Sequence, residues 1–444
     1  MPPSRLVRWW NRPAFDAAVL CALKVAVSAW ILRRGFTHIS DDDYARTVIA
    51  QQFAHAPRID PSGTSWLPLP FWLEGSVMWL AGRSLRVARV VAVSIGAASV
   101  IAPYAAMRSV CVPRSAALLT AAAAMMLPWN AWLGVATVPE GWAGALVAAS
   151  AIAMGNTRAR PWAAAALGLA SLCRYEAWPA CAVLAAIGSW HAIHEGDARH
   201  ETTCMLVAVA GPLAWMAWNA HAHGSAVHFV ARVSAFRHAI GAADIPLRDK
   251  LLDYPRALAS ETPEAAALGI VGAAGMMASA ALRARWKWAA TTSAAILAFL
   301  VWGDVQDGAP THHPARALAA LWWILIGGGV DAIFLFARRW THERGVWRVG
   351  LSFAGAAVGI AWCGGLPARW DASPGRSEYE SREVQMARGL DMRARGVAAA
   401  SITPCSFEHF ALIAAWGVPE GADVEKRTGE PPSKRCPTVV ERWP

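Results

Sequence analysis

The chain has 444 residues, of which 56% are hydrophobic and only 16% are charged, and its formal net charge is +10. This composition is too apolar for an ordinary soluble protein and favours a polytopic membrane protein. No basic face interleaved with aromatic residues occurs outside the loops between apolar segments, which argues against nucleic-acid binding. The 25 tryptophans, against 5 tyrosines, are expected to supply the aromatic belts at the membrane surfaces.

The first predicted element is an apolar run at 14–32, preceded by an arginine-rich start. It resembles a signal peptide, but it is long and ends in Arg33 and Arg34 rather than at a small-residue cleavage site. We therefore expect a retained transmembrane helix whose N-terminus lies in the cytoplasm. The loop that follows, at 33–85, is then extracytoplasmic.

This first loop contains a triplet of carboxylates, Asp41, Asp42 and Asp43. Three adjacent acids near a bilayer are costly because like charges repel and desolvation penalises the charged form. In an extended segment Asp41 and Asp43 point to the same side, which suits a catalytic base or a pair of metal ligands. If a helix starts here instead, Ser40 or Asp41 is a natural N-cap and the other acids complement the helix dipole.

Two further stretches of the loop have two interpretations each. Residues 60–68 are rich in turn formers, which predicts either a tight connection or a loop whose hydroxyls and amides line a polar pocket. Residues 66–82 are apolar but contain Pro68, Pro70 and Glu74. They either span the membrane or lie on its surface as an amphipathic helix. With the surface helix, the chain has eleven transmembrane helices.

Apolar runs long enough to span a membrane recur along the chain. They lie at 14–32, 86–107, 114–133, 140–156, 161–174, 177–194, 203–220, 263–282, 288–303, 315–336 and 347–366. Many are rich in Ala and Gly, which favours close helix packing. With eleven spans, the loops assigned to the cytoplasm are short and rich in arginine, as the positive-inside rule requires. The exception is Arg83, Arg86 and Arg89, which would lie outside.

Several charged residues at helix ends share the extracytoplasmic side with the carboxylate triplet in this topology. Glu140 opens a helix and either serves a site or complements the helix dipole. Arg174 and Glu176 flank a helix break, where they either pair with each other or meet a phosphate, which suits the planar guanidinium. His313, in a histidine pair, is a weak metal signal. Arg316 is a second phosphate candidate, with snorkelling as its alternative.

The loop at 221–262 is basic and aromatic and predicts a surface helix, one of whose histidines can relay protons. Beyond residue 366 the charge density rises to that of a soluble protein. We therefore predict two domains, a transmembrane domain at 1–366 and a small extracytoplasmic α/β domain at 367–444.

The predicted elements of the C-terminal domain are a helix at 377–395, a strand at 396–402, a helix at 404–416 and a short strand around Val424. Thr403 is the predicted N-cap of the second helix, with Pro404 at its first position and Gly417 as its stop. Most cysteines lie in apolar runs, but Cys405 and Cys436 lie in this polar tail. They are candidates for a disulfide if the domain faces an oxidising compartment.

Together these features resemble the GT-C class of glycosyltransferases, which use polyprenyl-phosphate sugars. The class includes protein O-mannosyltransferases, aminoarabinose transferases and GPI-type mannosyltransferases. Ser40-Asp41-Asp42-Asp43-Tyr44 is similar to the acidic motif of that family's first loop, and Glu140 matches an acidic residue at the start of a later helix. Arg174-Tyr175-Glu176 resembles an R-Y-E at a helix end, and Pro314-Ala315-Arg316 resembles the P-x-R before a late helix. The order and sidedness of these short motifs carry the likeness.

The resemblance implies a GT-C-like polytopic α-helical membrane protein with about eleven transmembrane helices, extracytoplasmic juxtamembrane helices and a small C-terminal α/β domain. It implies an inverting transfer of mannose or a similar hexose from a polyprenyl-phosphate donor to a hydroxyl of a protein, lipid or glycan acceptor. Asp41 or Asp43 would deprotonate the acceptor, Arg174 and Arg316 would neutralise the departing phosphate, and Glu140 would position the acceptor or a metal. The implied catalytic residues are Asp41, Asp42 and Asp43, and the implied substrate-binding residues are Glu140, Arg174, Glu176, His313 and Arg316. Asp41 and Asp43 are also candidate ligands for Mg²⁺ or Mn²⁺.

Two other classes of function stay open. A transporter or lipid flippase without covalent chemistry requires polar groups near the bilayer midplane and broken helices in related halves. A membrane scaffold whose C-terminal domain binds a partner leaves the acidic triplet without a role. The richness in Ala, Arg and Trp, without eukaryotic targeting signals, favours a multipass protein of a bacterial inner membrane.

Overall fold

The computed structural model describes residues 13–194, 197–239, 245–308, 313–343, 345–404, 406–425 and 438–442. Most of these residues are helical, and each predicted apolar run coincides with one or two helices. The helices of the first part are α1 (Pro13–Arg33), α2 (Asp42–His55), α3 (Leu69–Ala81), α4 (Leu85–Ser99), α5 (Ile101–Ser109), α6 (Arg114–Met126), α7 (Pro128–Leu133), α8 (Glu140–Ala153) and α9 (Arg160–Ser171). Those of the second part are α10 (Ala177–His194), α11 (Ala198–His223), α12 (His228–Ala239), α13 (Leu247–Glu261), α14 (Pro263–Ala278), α15 (Ala280–Val305), α16 (Pro314–Ala317), α17 (Ala319–Glu343) and α18 (Gly345–Asp371).

Five helical segments in the described part of the chain are long and apolar enough to cross a membrane. They are Pro13–Arg33, Leu85–Ser109, Ala198–His223, Ala280–Val305 and Ala319–Arg339. The ambiguous segment at 66–82 forms α3, whose 13 residues span about 20 Å at 1.5 Å per residue, short of a hydrocarbon core of about 30 Å. Its length fits the surface-helix alternative. The count of eleven spans stays a prediction.

Four predicted runs are divided between two helices, and two of these divisions have a clear cause or bear on the site. Leu127 leaves the helical region (φ −51°, ψ 139°) and ends α6, because the ring of Pro128 disfavours a helical residue before it. The run at 315–336 is interrupted at Leu318, which separates the four-residue α16 from α17. Arg316 therefore lies on a short turn of helix ahead of a membrane helix.

Small residues let the membrane helices approach closely. A Cβ added to Gly272 in α14 would lie 2.9 Å from the carbonyl carbon of Gly328 in α17. A Cβ on Gly144 in α8 would lie 2.7 Å from the Cβ of Ala319. The Ala- and Gly-rich runs thus pack with their backbones almost in contact, as in other small-residue helix interfaces.

The C-terminal region consists of α19 (Tyr379–Ala394), β1 (Ala399–Thr403), α20 (His409–Trp416), β2 (Ala422–Val424) and β3 (Thr438–Arg442). The strand order is β2-β1-β3, with β1 parallel to β2 and antiparallel to β3. The small α/β character predicted for this region is confirmed, and β3 is an additional strand.

The prediction for α20 was confirmed at the end of the helix and wrong at its start. Gly417 ends the helix in the left-handed conformation at φ 80°, as predicted for a glycine stop. Thr403 is not its N-cap. It is the last residue of β1, where it pairs with Thr438, and Glu408 occupies the N-cap position. The predicted bond between Cys405 and Cys436 lies outside the described residues.

The hydrophobic core of the C-terminal region includes residues of the first loop. Tyr44 and Val48 of α2 are buried in the same cluster as Ile402 and Trp416. The side-chain amide of Gln51 donates to the backbone carbonyl of Ala414 over 2.8 Å. The C-terminal region therefore fixes the position of α2, which follows directly on Asp41.

Two of the three arginines that depart from the positive-inside rule in the predicted topology, Arg83 and Arg89, have partners near the first loop and the C-terminal region. Arg83 forms an ion pair with Glu420 at 2.7 Å. Arg89 donates to the backbone carbonyl oxygens of Thr37, at 2.5 Å, and Val135, at 2.6 Å. These contacts hold loops and the C-terminal region together and give a structural reason for the exception.

Candidate active site

A cavity of about 660 Å³ lies where the first loop, several helix ends and the C-terminal region meet. Its charged lining residues are five arginines, Arg46, Arg174, Arg232, Arg237 and Arg316, and three carboxylates, Asp41, Asp42 and Glu378. An excess of positive charge around an enclosed space attracts anions. The cavity is therefore suited to a negatively charged ligand.

Asp41 stands at the N-cap position of α2, but its side chain makes no capping hydrogen bond. Arg382 of α19 donates to both of its oxygens, over 2.7 and 2.8 Å. The extended alternative for the triplet is wrong, because α2 starts at Asp42 and residues two apart on a helix point about 200° apart. The three carboxylates accordingly have different partners.

Asp42 has the most exposed side chain of the triplet. Its exposed fraction is 26%, against 16% for Asp41. Arg316 Nη1 donates to Asp42 Oδ2 at 2.9 Å and to the hydroxyl of Ser40 at 3.1 Å. Asp42 thus lines the cavity beside a guanidinium that is itself buried.

Asp43 is fully buried. Its Oδ1 accepts a hydrogen bond from the backbone N–H of Thr137 at 2.9 Å, and its Oδ2 accepts one from the backbone N–H of Ile39 at 3.1 Å. Backbone donors of this kind stabilise a buried carboxylate. Asp43 therefore fastens the first loop to the segment that precedes α8.

Glu140, the first residue of α8, lies between two arginines. Its Oε1 accepts a hydrogen bond from Arg316 Nη2 at 2.6 Å and pairs with Arg174 Nη1 at 3.0 Å. Its Oε2 is buried and accepts no hydrogen bond from any residue in the described ranges. Arg174 also donates to both oxygens of Glu176, over 2.5 and 3.1 Å. These four predicted residues meet in one network with Asp42. Arg174 thus pairs with Glu176, one of its two predicted alternatives, and it also lines the cavity, while its contact with a phosphate stays a prediction.

The turn-rich stretch at 60–68 forms a tight turn and also contributes residues to the cavity lining. Asp60 Oδ1 accepts hydrogen bonds from the backbone N–H groups of Ser62 at 3.2 Å and Gly63 at 2.9 Å, which closes a tight turn. Thr64 and Ser65, just beyond that turn, line the cavity. His313, the remaining predicted residue, also lines it, whereas His312 lies outside the described residues.

The structure does not bring Asp41 and Asp43 together as a pair of metal ligands, since each has other partners. Among the described residues, ligand atoms of His38, Asp41 and Glu378 lie within 4.8 Å of one another. Arg382 Nη2 donates to both of these carboxylates at 2.8 Å. A guanidinium thus already supplies positive charge where a divalent ion would bind.

Sequence reasoning gave no role to two arginines of this region. Arg46 follows Asp42 by four residues on α2, which places both on the same helix face, and this spacing was the available signal. It is 2% exposed, and its guanidinium carbon lies 4.4 Å from the centre of the Trp66 ring. Arg382 is 341 positions from Asp41, so no local pattern connects the two.

Comparison with known proteins gives a match in structure. No family model matches the sequence, and no curated protein is similar to it in sequence. ArnT from Cupriavidus metallidurans in the apo state is 15% identical over 94% of this chain and 76% of its own length, with a TM-score of 0.52. ArnT bound to undecaprenyl phosphate is 15% identical over 91% of this chain and 75% of its own, with a TM-score of 0.53. ArnT is an aminoarabinose transferase of the GT-C class, so the predicted GT-C-like membrane fold is confirmed.

Proposed function

We propose that the protein is an integral membrane glycosyltransferase that moves a sugar from a polyprenyl-phosphate donor to an acceptor hydroxyl. The observation that carries the proposal is the cavity itself, where Asp41 and Asp42 lie with Arg174 and Arg316 in a chain with the fold of ArnT. The ArnT structure with undecaprenyl phosphate supports a donor of this class. A hexose such as mannose as the sugar, and a protein, lipid or glycan as the acceptor, follow from the motif resemblance.

Asp42 is the residue of the triplet that we assign as the base. It lines the cavity with the most exposed side chain, whereas Arg382 holds both oxygens of Asp41, and the carboxylate of Asp43 is bound by backbone N–H groups. In the proposed step Asp42 takes the proton of the acceptor hydroxyl while that oxygen attacks C1 of the sugar. The bond from C1 to the phosphate oxygen breaks, polyprenyl phosphate leaves with the electron pair, and attack from the opposite face inverts the configuration.

Arg174 and Arg316 stabilise the charge of the departing phosphate in this mechanism. Both reach the cavity, and both contact Glu140, which fixes their positions relative to each other. Preorganised cations beside a developing negative charge lower the barrier because they need no reorganisation during the reaction. Glu140 is accordingly a positioning residue, and Glu176 has the same relation to Arg174.

The transporter alternative is less well supported by the placement of these charges. Glu140 is the first residue of α8, Arg174 follows the end of α9, and Arg316 lies on the short helix α16. Transporters of the midplane type place their site near the bilayer centre, at breaks within the discontinuous helices of two related halves. Charges gathered at helix ends favour chemistry at a membrane surface. The proposal places the protein in a bacterial inner membrane, with a cytoplasmic N-terminus and with the cavity and C-terminal region outside.

The test is transfer of radiolabelled sugar from a panel of polyprenyl-phosphate donors to cell-envelope extract by the purified protein. Asp42→Asn is expected to lower the rate by a factor of about 10² to 10⁴, the usual contribution of a general base, while thermal unfolding stays as in the wild type. Asp249→Asn, which breaks an exposed ion pair with Arg256, is the matched control and keeps the rate. Wild-type transfer by both Asp42→Asn and Asp41→Asn would refute the acidic-loop mechanism.

A further inference from the structure

Arg46 is a buried cation that pairs with no carboxylate among the residues that the structure describes. It is 2% exposed, and its Nε and Nη1 have no hydrogen-bond partner. In the described part of the chain it contacts the rings of Trp66, at 4.4 Å, and Phe71, at 5.6 Å, but forms no ion pair. Cation–π contacts orient a guanidinium without neutralising it. A buried and unpaired charge is costly, which points to a partner that binds from outside.

The carboxylates around Arg46 do not supply that partner. Asp42 and Glu140 are already paired with Arg316. Burial raises the pKa of Glu74 to about 8, although Arg46 opposes the shift, so its carboxyl is largely neutral at pH 7. The position is therefore suited to a mobile anion.

We infer that Arg46 binds the phosphate of the polyprenyl-phosphate donor directly. The inference rests on the proposed function and deepens it. A guanidinium fork can bridge two phosphate oxygens, and stacking on Trp66 fixes the plane of that fork. Arg174 and Arg316 form ion pairs with Glu140, Glu176 and Asp42, which largely neutralise them. These two arginines therefore set the shape of the site, and Arg46 supplies the positive charge that is left for a phosphate.

The cavity also has an apolar part suited to the isoprenoid of such a donor. Ile49 lies on α2, one turn beyond Arg46, and Val233 and Phe236 line the cavity from α12. A phosphate on Arg46 would thus continue into a surface of hydrocarbon side chains. The required ligand is an anionic lipid with a single phosphate next to an apolar chain.

The experiment compares two ligands that differ by the phosphate alone, undecaprenyl phosphate and undecaprenol, in their binding to the purified full chain. The ratio of their dissociation constants measures the contribution of the phosphate without requiring transfer. The wild type is expected to prefer undecaprenyl phosphate, and Arg46→Gln is expected to lower that preference by about tenfold or more, the usual loss for a charged hydrogen bond. Arg256→Gln, which removes an exposed ion pair with Asp249, keeps it.

Arg46→Lys completes the test if Arg46→Gln does not fold, as judged by thermal unfolding. Lysine keeps the charge but loses the planar fork and its stacking, so its preference is expected to lie between those of the wild type and Arg46→Gln. A wild-type preference in the folded variants would overturn the role of Arg46 and leave the proposed function standing. A wild-type protein that binds both lipids equally would overturn the polyprenyl-phosphate donor itself.

Discussion

Glu140→Gln tests whether one buried carboxylate organises the cavity. The substitution keeps the size and shape of the side chain but removes the charge that lies between Arg174, at 3.0 Å, and Arg316, at 2.6 Å. Glu140 is only 2% exposed, so water does not replace the lost charge. Each arginine keeps a second carboxylate, Glu176 or Asp42, and both guanidinium groups are expected to move toward those remaining partners.

The size of the effect follows from these contacts. Removing one partner of a buried ion pair costs about 3 to 5 kcal/mol. Because both arginines retain a carboxylate, we expect the lower end for Glu140→Gln, about 3 kcal/mol in the free energy of unfolding. If the displaced guanidinium groups no longer meet the phosphate, the transfer rate is expected to fall separately by a factor of about 10², the usual cost of losing one preorganised donor to the developing charge.

The assay measures thermal unfolding in detergent together with sugar transfer. Glu264→Gln is the matched control. Glu264 also lies in the first turn of an apolar helix and pairs with an arginine, Arg369, but it does not line the cavity. The control is expected to lose stability and keep the rate per folded molecule, whereas Glu140→Gln loses both. A Glu140→Gln protein with wild-type stability and rate would show that the network does not depend on this carboxylate.

Two further predictions concern stability. Burial raises the pKa of Glu74 to about 8, so the folded protein holds a proton that the unfolded chain releases above its ordinary pKa, and stability falls as pH rises between about 5 and 8 by up to about 1.4 kcal/mol per pH unit. Glu74→Gln is expected to remove this pH dependence, which unfolding curves of the wild type and the variant at pH 5, 6, 7 and 8 would show. The same change in stability with pH in both proteins would contradict the prediction. Gly417→Ala is expected to lower the unfolding temperature more than Gly396→Ala, since both positions have positive φ but only a Cβ at Gly417 meets a backbone oxygen, that of Arg83 at 2.5 Å. Equal losses in the two variants would show that this contact does not hold the C-terminal region.

The helices were largely predictable because their signals are local. Each of the eleven apolar runs predicted from hydropathy coincides with one or two helices, and turn chemistry located the end of α20 at Gly417. The start of α20 was not predictable in the same way. Thr403 and Pro404 form a good local helix start, but Thr403 pairs with Thr438 in β3. A strand from the far end of the chain thus decided where the helix begins.

The candidate site was likewise predictable where the signals are local and not where distant parts of the chain decide. The predicted topology of eleven spans put Asp42, Glu140, Arg174 and Arg316 on one side of the membrane, and in the structure they meet in one network. Local pattern could not decide which member of the triplet faces the cavity. That choice depends on the hydrogen bond from the Thr137 backbone to Asp43 and on the ion pair between Arg382 and Asp41, each of which joins distant parts of the sequence.

The C-terminal region is therefore part of the site as well as an appendage to the membrane helices. Arg382 holds Asp41 directly, and the core shared with Tyr44 and Val48 fixes the first turns of α2. Asp42 and Arg46 lie on those turns, so their positions relative to Arg316 depend on packing against α20. A chain with 15% identity to ArnT keeps its fold because the apolar helix pattern tolerates substitution. We expect the carboxylate and arginine positions to tolerate less, since each of these buried charges depends on a specific partner.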